Sequence, residues 1–207
     1  MARPSTQDER RAALVSAALD VAGEHGLRQL SLADVARRAG LTRGAVLYYY
    51  EDLDALLVEA HRAGVARFCD ARDAAVAAAG SPGEQLAVAI AAGLPSGPDD
   101  ALMRLLYEFD VLAGTSALHD QLVEAMYLRQ LATYRGVLSR GVAAGVFALR
   151  LPEESLATNL VALEDAYGLH VVGGNSLITV ESAAAEMRAV AAALGAPASK
   201  AEGADGA

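Results

Sequence analysis

Apolar residues recur every three to four positions along nearly the whole chain, and short Gly, Pro and Ser clusters break the pattern. That period predicts amphipathic helices. Leu14, Ala17, Ala18, Val21 and Ala22 predict a first helix from Thr6 or Gln7 to Glu24, with Gly26 as its C′ residue. Ser31 is an expected N-cap, and Asp34 three residues later imitates a capping box. Val35, Ala36 and Ala39 then form an inner face, and Gly40 ends this second helix. Thr42 caps a third short helix that ends near Tyr49. Longer helices are predicted over 52–79, 99–113, 117–144, 152–172 and 180–194, with a shorter one from Gly83 to Ala92. The breaks are Gly80-Ser-Pro-Gly83, Gly93-Leu-Pro-Ser-Gly-Pro98 and Gly173-Gly-Asn-Ser176. No segment reads as a strand, and there is no internal repeat. The expectation is an all-α protein of about nine helices.

Residues 31–50 stand out within this pattern. Two short helices joined by a glycine turn have the layout of a helix-turn-helix DNA reader. The expected division is therefore a reader over 1–51, a ligand-binding and dimerisation body over 52–194, and a disordered tail over 195–207. That tail is rich in Ala, Gly and Ser.

Charge supports the division. The chain carries −9 overall, yet residues 1–50 hold seven arginines against five acids. A locally positive reader on a negative body can contact phosphate while discouraging unspecific DNA binding. The single cysteine, Cys69, cannot form an internal disulfide, which fits a reducing cytoplasm. The N-terminus lacks the apolar stretch of a secretion signal, and no apolar run reaches the ~18 residues of a membrane span.

A recognition helix needs small or polar side chains near its start. Thr42, Arg43, Gly44 and Ala45 supply them. Thr42 can cap the helix and donate to phosphate, and Arg43 can reach guanine O6 and N7 or a phosphate. Gly44 and Ala45 allow close approach. Tyr48 and Tyr49 offer phenolic donors, whereas Val46 and Tyr50 are expected to face the first helix. Ser31 and Arg3 complete the expected DNA-binding set, Arg3 as a minor-groove arm.

These residues carry a resemblance. Ala17-Ala18, Glu24-His25-Gly26-Leu27, Ser31-Leu32, Val35-Ala36, Ala39-Gly40-Leu41-Thr42, Gly44, Val46, Tyr49-Tyr50, Asp54 and Leu56-Leu57 occur in the order found in the DNA-binding domain of the tetracycline-repressor (TetR) family. The resemblance implies a ligand-responsive regulator, a repressor released from a pseudo-palindromic operator, and not an enzyme. It implies a homodimer formed through the last two helices, a double-stranded DNA operator, and an effector that acts through the fourth helix. An activator on the same fold, or an all-α metabolite-binding protein or enzyme with a vestigial reader, would share this outline. Leu47 and Leu53 stand where the family often has a tyrosine and a lysine, so fewer phosphate anchors are expected. Arg3, Arg10, Arg11, Arg37 and Arg38 are the expected compensators, or ordinary solvated charge. The run Leu163-Glu-Asp-Ala-Tyr-Gly-Leu-His170 resembles the choline-sensing branch of the family.

Family logic places the sensing pocket among the fifth to eighth helices. Tyr107, Asp110, Tyr127, Tyr134, Glu164 and Tyr167 are the candidate ligand-binding residues. A carboxylate bordering an apolar stripe is costly unless paired. Glu164 and Asp110 could therefore face a cationic effector beside tyrosine rings, or each could pair with an arginine such as Arg104 or Arg129. Tyr127 and Tyr134 fit either a cavity wall or an ordinary core. His25, His61, His119 and His170 lack metal-ligand spacing, so neither metal nor cofactor is expected. Cys69 reads as a packing residue. No nucleophile with a paired base is visible.

Overall fold

The computed structural model describes residues 6–112, 114 and 116–198. Arg3 and residues 199–207 lie outside them. The described residues form α-helices and no strand, in the order α1 (Thr6–His25), α2 (Leu32–Arg38), α3 (Arg43–Tyr49), α4 (Leu53–Ala78), α5 (Pro82–Gly93), α6 (Ala101–Val111), α7 (Ala117–Ala143), α8 (Glu153–Val172) and α9 (Val180–Ala193). A 3-10 turn over Leu27–Gln29 follows α1. The fold is all-α, as the apolar period predicts.

Local chemistry sets the ends. Ser31 and Thr42 cap α2 and α3 by accepting from the backbone N–H groups of Asp34 and Ala45. Gly26 and Gly40 take φ of 79° and 67°, which a side chain would resist. Ser81 and Glu84 form a reciprocal capping box on α5, with Pro82 at its first turn.

The chain divides into two compact units. One comprises residues 1–67 and 101–124, the other residues 68–100 and 125–207. These units do not coincide with a cut at 51/52, because α6 packs with α1. Gly23 on α1 lies so close to Ala101 that a Cβ there would come within 2.9 Å of the Ala101 Cβ. The Leu27 N–H donates to the Glu108 carboxylate at 2.6 Å. Leu105 and Phe109 of α6 join Leu14, Ala18, Val35, Val46 and Leu56 in one core. In the second unit Leu86, Ile90, Tyr134, Leu138, Leu156, Leu160 and Met187 form the other. Packing continues past the expected boundary at 194. The Ala148 N–H donates to the Gly195 carbonyl at 2.8 Å, and Ala196 is fully buried.

Candidate nucleic-acid interface and sensing core

The short α3 is held from beneath. Val46 is fully buried and Tyr50, just past the helix, is nearly so. The Tyr50 hydroxyl donates to the Arg11 carbonyl at 3.4 Å, and the Arg11 guanidinium lies 4.5 Å from the centre of its ring. Arg11 also donates to the Tyr49 carbonyl at 2.8 Å. Burial pushes the Tyr50 phenol above its ordinary pKa, with Arg11 opposing. Tyr50 is thus a clamp between α1 and the end of α3, on the inward side where its spacing puts it.

The opposite side is open. Thr42, Arg43 and Gly44 are exposed, Ala45 and Tyr49 are half-buried, and Tyr48 is 76% exposed. Thr42 accepts from the Ala45 N–H at 3.2 Å, which leaves its hydroxyl proton to donate. Arg43 has no side-chain partner among the described residues. Tyr48 and Tyr49 meet edge to face, 5.0 Å between ring centres. A Cβ on Gly44 would meet only open space and Thr42. Ser31 differs from these. Its hydroxyl donates to the Asp34 carboxylate at 2.5 Å while accepting from the Asp34 N–H. That bond, with the Arg37 ion pair at 2.9 Å, holds the Asp34 carboxyl below its usual range. Leu47 is 42% exposed, an apolar side chain on the face that would meet DNA.

The expected arginine compensators are mostly engaged within the protein. Arg37 pairs with Asp34, Arg38 with Glu24 and with Asp20, and Arg11 with the end of α3. Hydrogen bonding to Arg38 holds the Glu24 carboxyl low. Arg38 and Arg11 thus tie α1 to α2 and to the end of α3, while the Arg37 pair lies within α2.

The ligand candidates fall in both units. Tyr107 is half-buried and Asp110 exposed on α6 in the first. In the second, Tyr127 is 38% exposed, Tyr167 is half-buried, and Tyr134 and Glu164 are buried. Tyr134 and Glu164 meet directly: the phenol donates to Glu164 Oε2 at 2.6 Å. Gln130 Nε2 donates to Glu164 Oε1 at 2.8 Å. The ion-pair alternative for Glu164 is realised through Arg72 of α4. Its Nη1 and Nη2 donate to the two carboxylate oxygens at 3.0 and 2.6 Å. Arg129 pairs instead with Asp70 and Asp73, at 2.9 and 2.6 Å. Arg72 also donates to the Ala89 carbonyl from Nε and Nη2. Burial opposes its charge most strongly, and the Glu164 carboxylate together with Tyr134 holds the guanidinium above its ordinary pKa. Burial and the same carboxylate push the Tyr134 phenol well above its usual value.

Arg72 has a signal in the sequence. Val65, Phe68, Cys69, Arg72 and Val76 recur at helical spacing, so Arg72 sits on the buried stripe of α4. A charge on such a stripe demands a partner. The same holds for His61, four residues from Leu57 and from Val65. It is buried, stacks on Phe109 at 4.2 Å, and its Nδ1 lies 3.0 Å from Nδ1 of the buried His119. His25 and His170 are exposed. Cys69 is buried, and burial pushes its thiol up, so it remains a packing thiol. Among the described residues no group of three or more His, Cys, Asp or Glu side chains could hold a metal ion.

Residues 14–60 match the family described as bacterial regulatory proteins, tetR family. This stretch of the chain is similar to the tetR-family DNA-binding domain. The HTH-type transcriptional regulator BetI of Rhizobium meliloti is 31% identical over 90 residues, which is 44% of this chain and 44% of that protein. BetI of Klebsiella pneumoniae is 37% identical over 57 residues, 28% of this chain and 29% of that protein. The chain thus matches under half the length of these curated relatives. Solved structures extend the likeness in fold. A TetR transcription regulator from Haloarcula marismortui has a TM-score of 0.81 at 20% identity, covering 90% of this chain and 98% of its own. A transcriptional regulator from Saccharomonospora viridis in complex with choline has a TM-score of 0.81 at 21% identity, covering 89% and 96%. The tetR match spans α2, α3 and the first turns of α4, and it includes every residue of the exposed α3 face.

Proposed function

We propose that this chain is a DNA-binding transcriptional regulator, a repressor that leaves its operator when a small organic effector binds. The observation that carries the reading is the two-sided α3. Val46 and Tyr50 lock it from below, while Thr42, Arg43, Gly44 and Tyr48 stand free above. Arg43, Thr42 and Tyr48 are its direct contacts, with Gly44 and Ala45 admitting the DNA backbone and Tyr49 bracing Tyr48. Ser31 contributes through its cap on α2.

A gel-shift titration on the DNA flanking its own gene tests this. Binding should weaken linearly on a log–log scale as salt rises. Arg43→Ala should weaken it about 10- to 100-fold, the ~1–3 kcal/mol of a base contact, with helicity unchanged. Binding that ignores both salt and Arg43 would sink the reading.

A homodimer through α8 and α9 supports two readers about 34–36 Å apart on a palindromic site. Ala162, Ala166 and Leu169 on α8, and Ala185, Ala189 and Ala192 on α9, are exposed small or apolar residues. Small side chains allow helices of two copies to approach closely. Ala189→Glu is expected to halve the mass seen by light scattering after gel filtration and to abolish operator binding. An unchanged mass would place the dimer contact elsewhere. Among the described residues no helix is long and apolar enough to cross a membrane. The working compartment on this reading is the cytoplasm.

A further inference from the structure

The core of the second unit contains a complete receptor for a cation. Glu164 takes a guanidinium with both carboxylate oxygens, at 3.0 and 2.6 Å. The Tyr134 ring lies 4.7 Å from the guanidinium carbon, within cation–π range. The Ala89 carbonyl accepts at 3.1 and 2.8 Å from Nε and Nη2. Gln130 and the Tyr134 hydroxyl donate to Glu164 and fix the carboxylate in place. Gly93 keeps the space clear, since a Cβ there would lie 2.2 Å from Glu164 Oε2. Arg72, Gln130, Tyr134 and Glu164 are each at most 5% exposed.

The receptor is built from α5, α7 and α8, and the cation comes from α4. An ordinary apolar core needs none of this, and a buried ion pair contributes little net stability compared with apolar packing. What it does supply is a preorganised place for a planar, hydrogen-bonding cation. We propose that the Glu164–Tyr134–Gln130–Ala89 receptor is a cation-binding site occupied by the protein's own tethered ligand, Arg72, and that organic cations from solution enter it only when Arg72 is removed. If the second unit senses an effector, as the regulator reading holds, that effector does not use Glu164 as its counter-ion. The carboxylate's charge is already matched.

The test compares the full chain with Arg72→Ala, using thermal melts in methylguanidinium chloride, choline chloride or sodium chloride at equal ionic strength. Removing one partner of a buried pair should lower Tm by about 10 °C. Millimolar methylguanidinium should restore much of that loss in a saturable way, as a ligand of the folded state must. Sodium chloride should not. Wild type should not respond to methylguanidinium, and the double variant Arg72→Ala, Glu164→Gln should lose the rescue. Should Arg72→Ala not fold alone, its refolding yield with and without methylguanidinium answers the same question. No rescue, rescue retained without Glu164, or an equal response in wild type would each overturn the proposal. None of these outcomes depends on operator binding, so failure here is distinct from failure of the regulator reading.

Discussion

Gly93→Ala is expected to destabilise the protein by about 3–5 kcal/mol, a loss ordinarily associated with cutting a buried salt bridge. The added methyl would lie 2.2 Å from Glu164 Oε2, 2.4 Å from its Cδ and 2.8 Å from Arg72 Nη2. A flexible surface carboxylate would swing aside. This one is held by Arg72, Gln130 and Tyr134 at once, so moving it breaks charge-assisted bonds of a carboxylate that is only 1% exposed. Urea unfolding followed by circular dichroism measures the effect, read as a lower midpoint at constant slope. Gly97→Ala is the control. A Cβ at Gly97 meets nothing within 4 Å, so its midpoint should stay within about 0.5 kcal/mol of wild type. A Gly93→Ala protein as stable as that control would show that Glu164 is not pinned.

The second large effect is acid lability in the first unit. His61 is 1% exposed, and burial followed by the neighbouring His119 lowers its pKa from 6.5 to about 4. Burial also lowers His119, against the pull of Asp54 and Asp120 upward. A single proton lies between their Nδ1 atoms across 3.0 Å, and a second proton placed there destroys that bond. Phe109, stacked on His61, offers no counter-charge. Because the folded pKa lies below the unfolded one, the unfolded chain binds more protons between them. Stability is therefore full above pH 6.5 and falls as pH drops towards 4. Integrated over that window, His61 alone accounts for about 3 kcal/mol. His119 also lines a cleft of about 700 Å3 with Tyr49, Asp54 and Leu118, which gives solvent a route to the pair. Urea midpoints measured from about pH 7 down to about pH 4.5 should fall steeply in wild type and much less in His61→Phe. Parallel profiles for the two proteins would refute the assignment.

Helices are legible in the sequence because their determinants are local. The apolar period, the Ser31 and Thr42 caps, and the glycines at 26 and 40 lie within a turn or two of what they control, and each acts as expected. The 3-10 turn at Leu27–Gln29 has no such local signal, because its anchor is Glu108, 81 residues away. The α3 face is legible only in part: spacing pairs Val46 with Tyr50, but it puts Thr42 on their side too, and Thr42 and Arg43 are exposed because they sit at the free start of the helix. The arginines are not legible in this way. Arg37 and Arg38 look like free positive charge in the sequence, and their neutralisation by Asp34 and Glu24 depends partly on how α1 meets α2.

The buried charge cluster of the second unit marks the limit more sharply. Glu164 is recognisable as a carboxylate that needs a partner, and Arg72 as a charge on a buried stripe. Spacing does not choose among the arginines that could meet it, and by that measure Arg129 is as suitable as Arg72. The sequence by itself determined the helices, their caps, the inward pair Val46 and Tyr50, and the existence of charge in the body that demands partners. Only the tertiary structure decided that Arg72 crosses 92 residues to Glu164, that Gly93 clears the space between them, and that His61 finds His119. A helix's inward face follows from composition at a period of ~3.6 residues, but its partner atoms follow from the rotation and offset of packed helices. Those are set by the whole core at once.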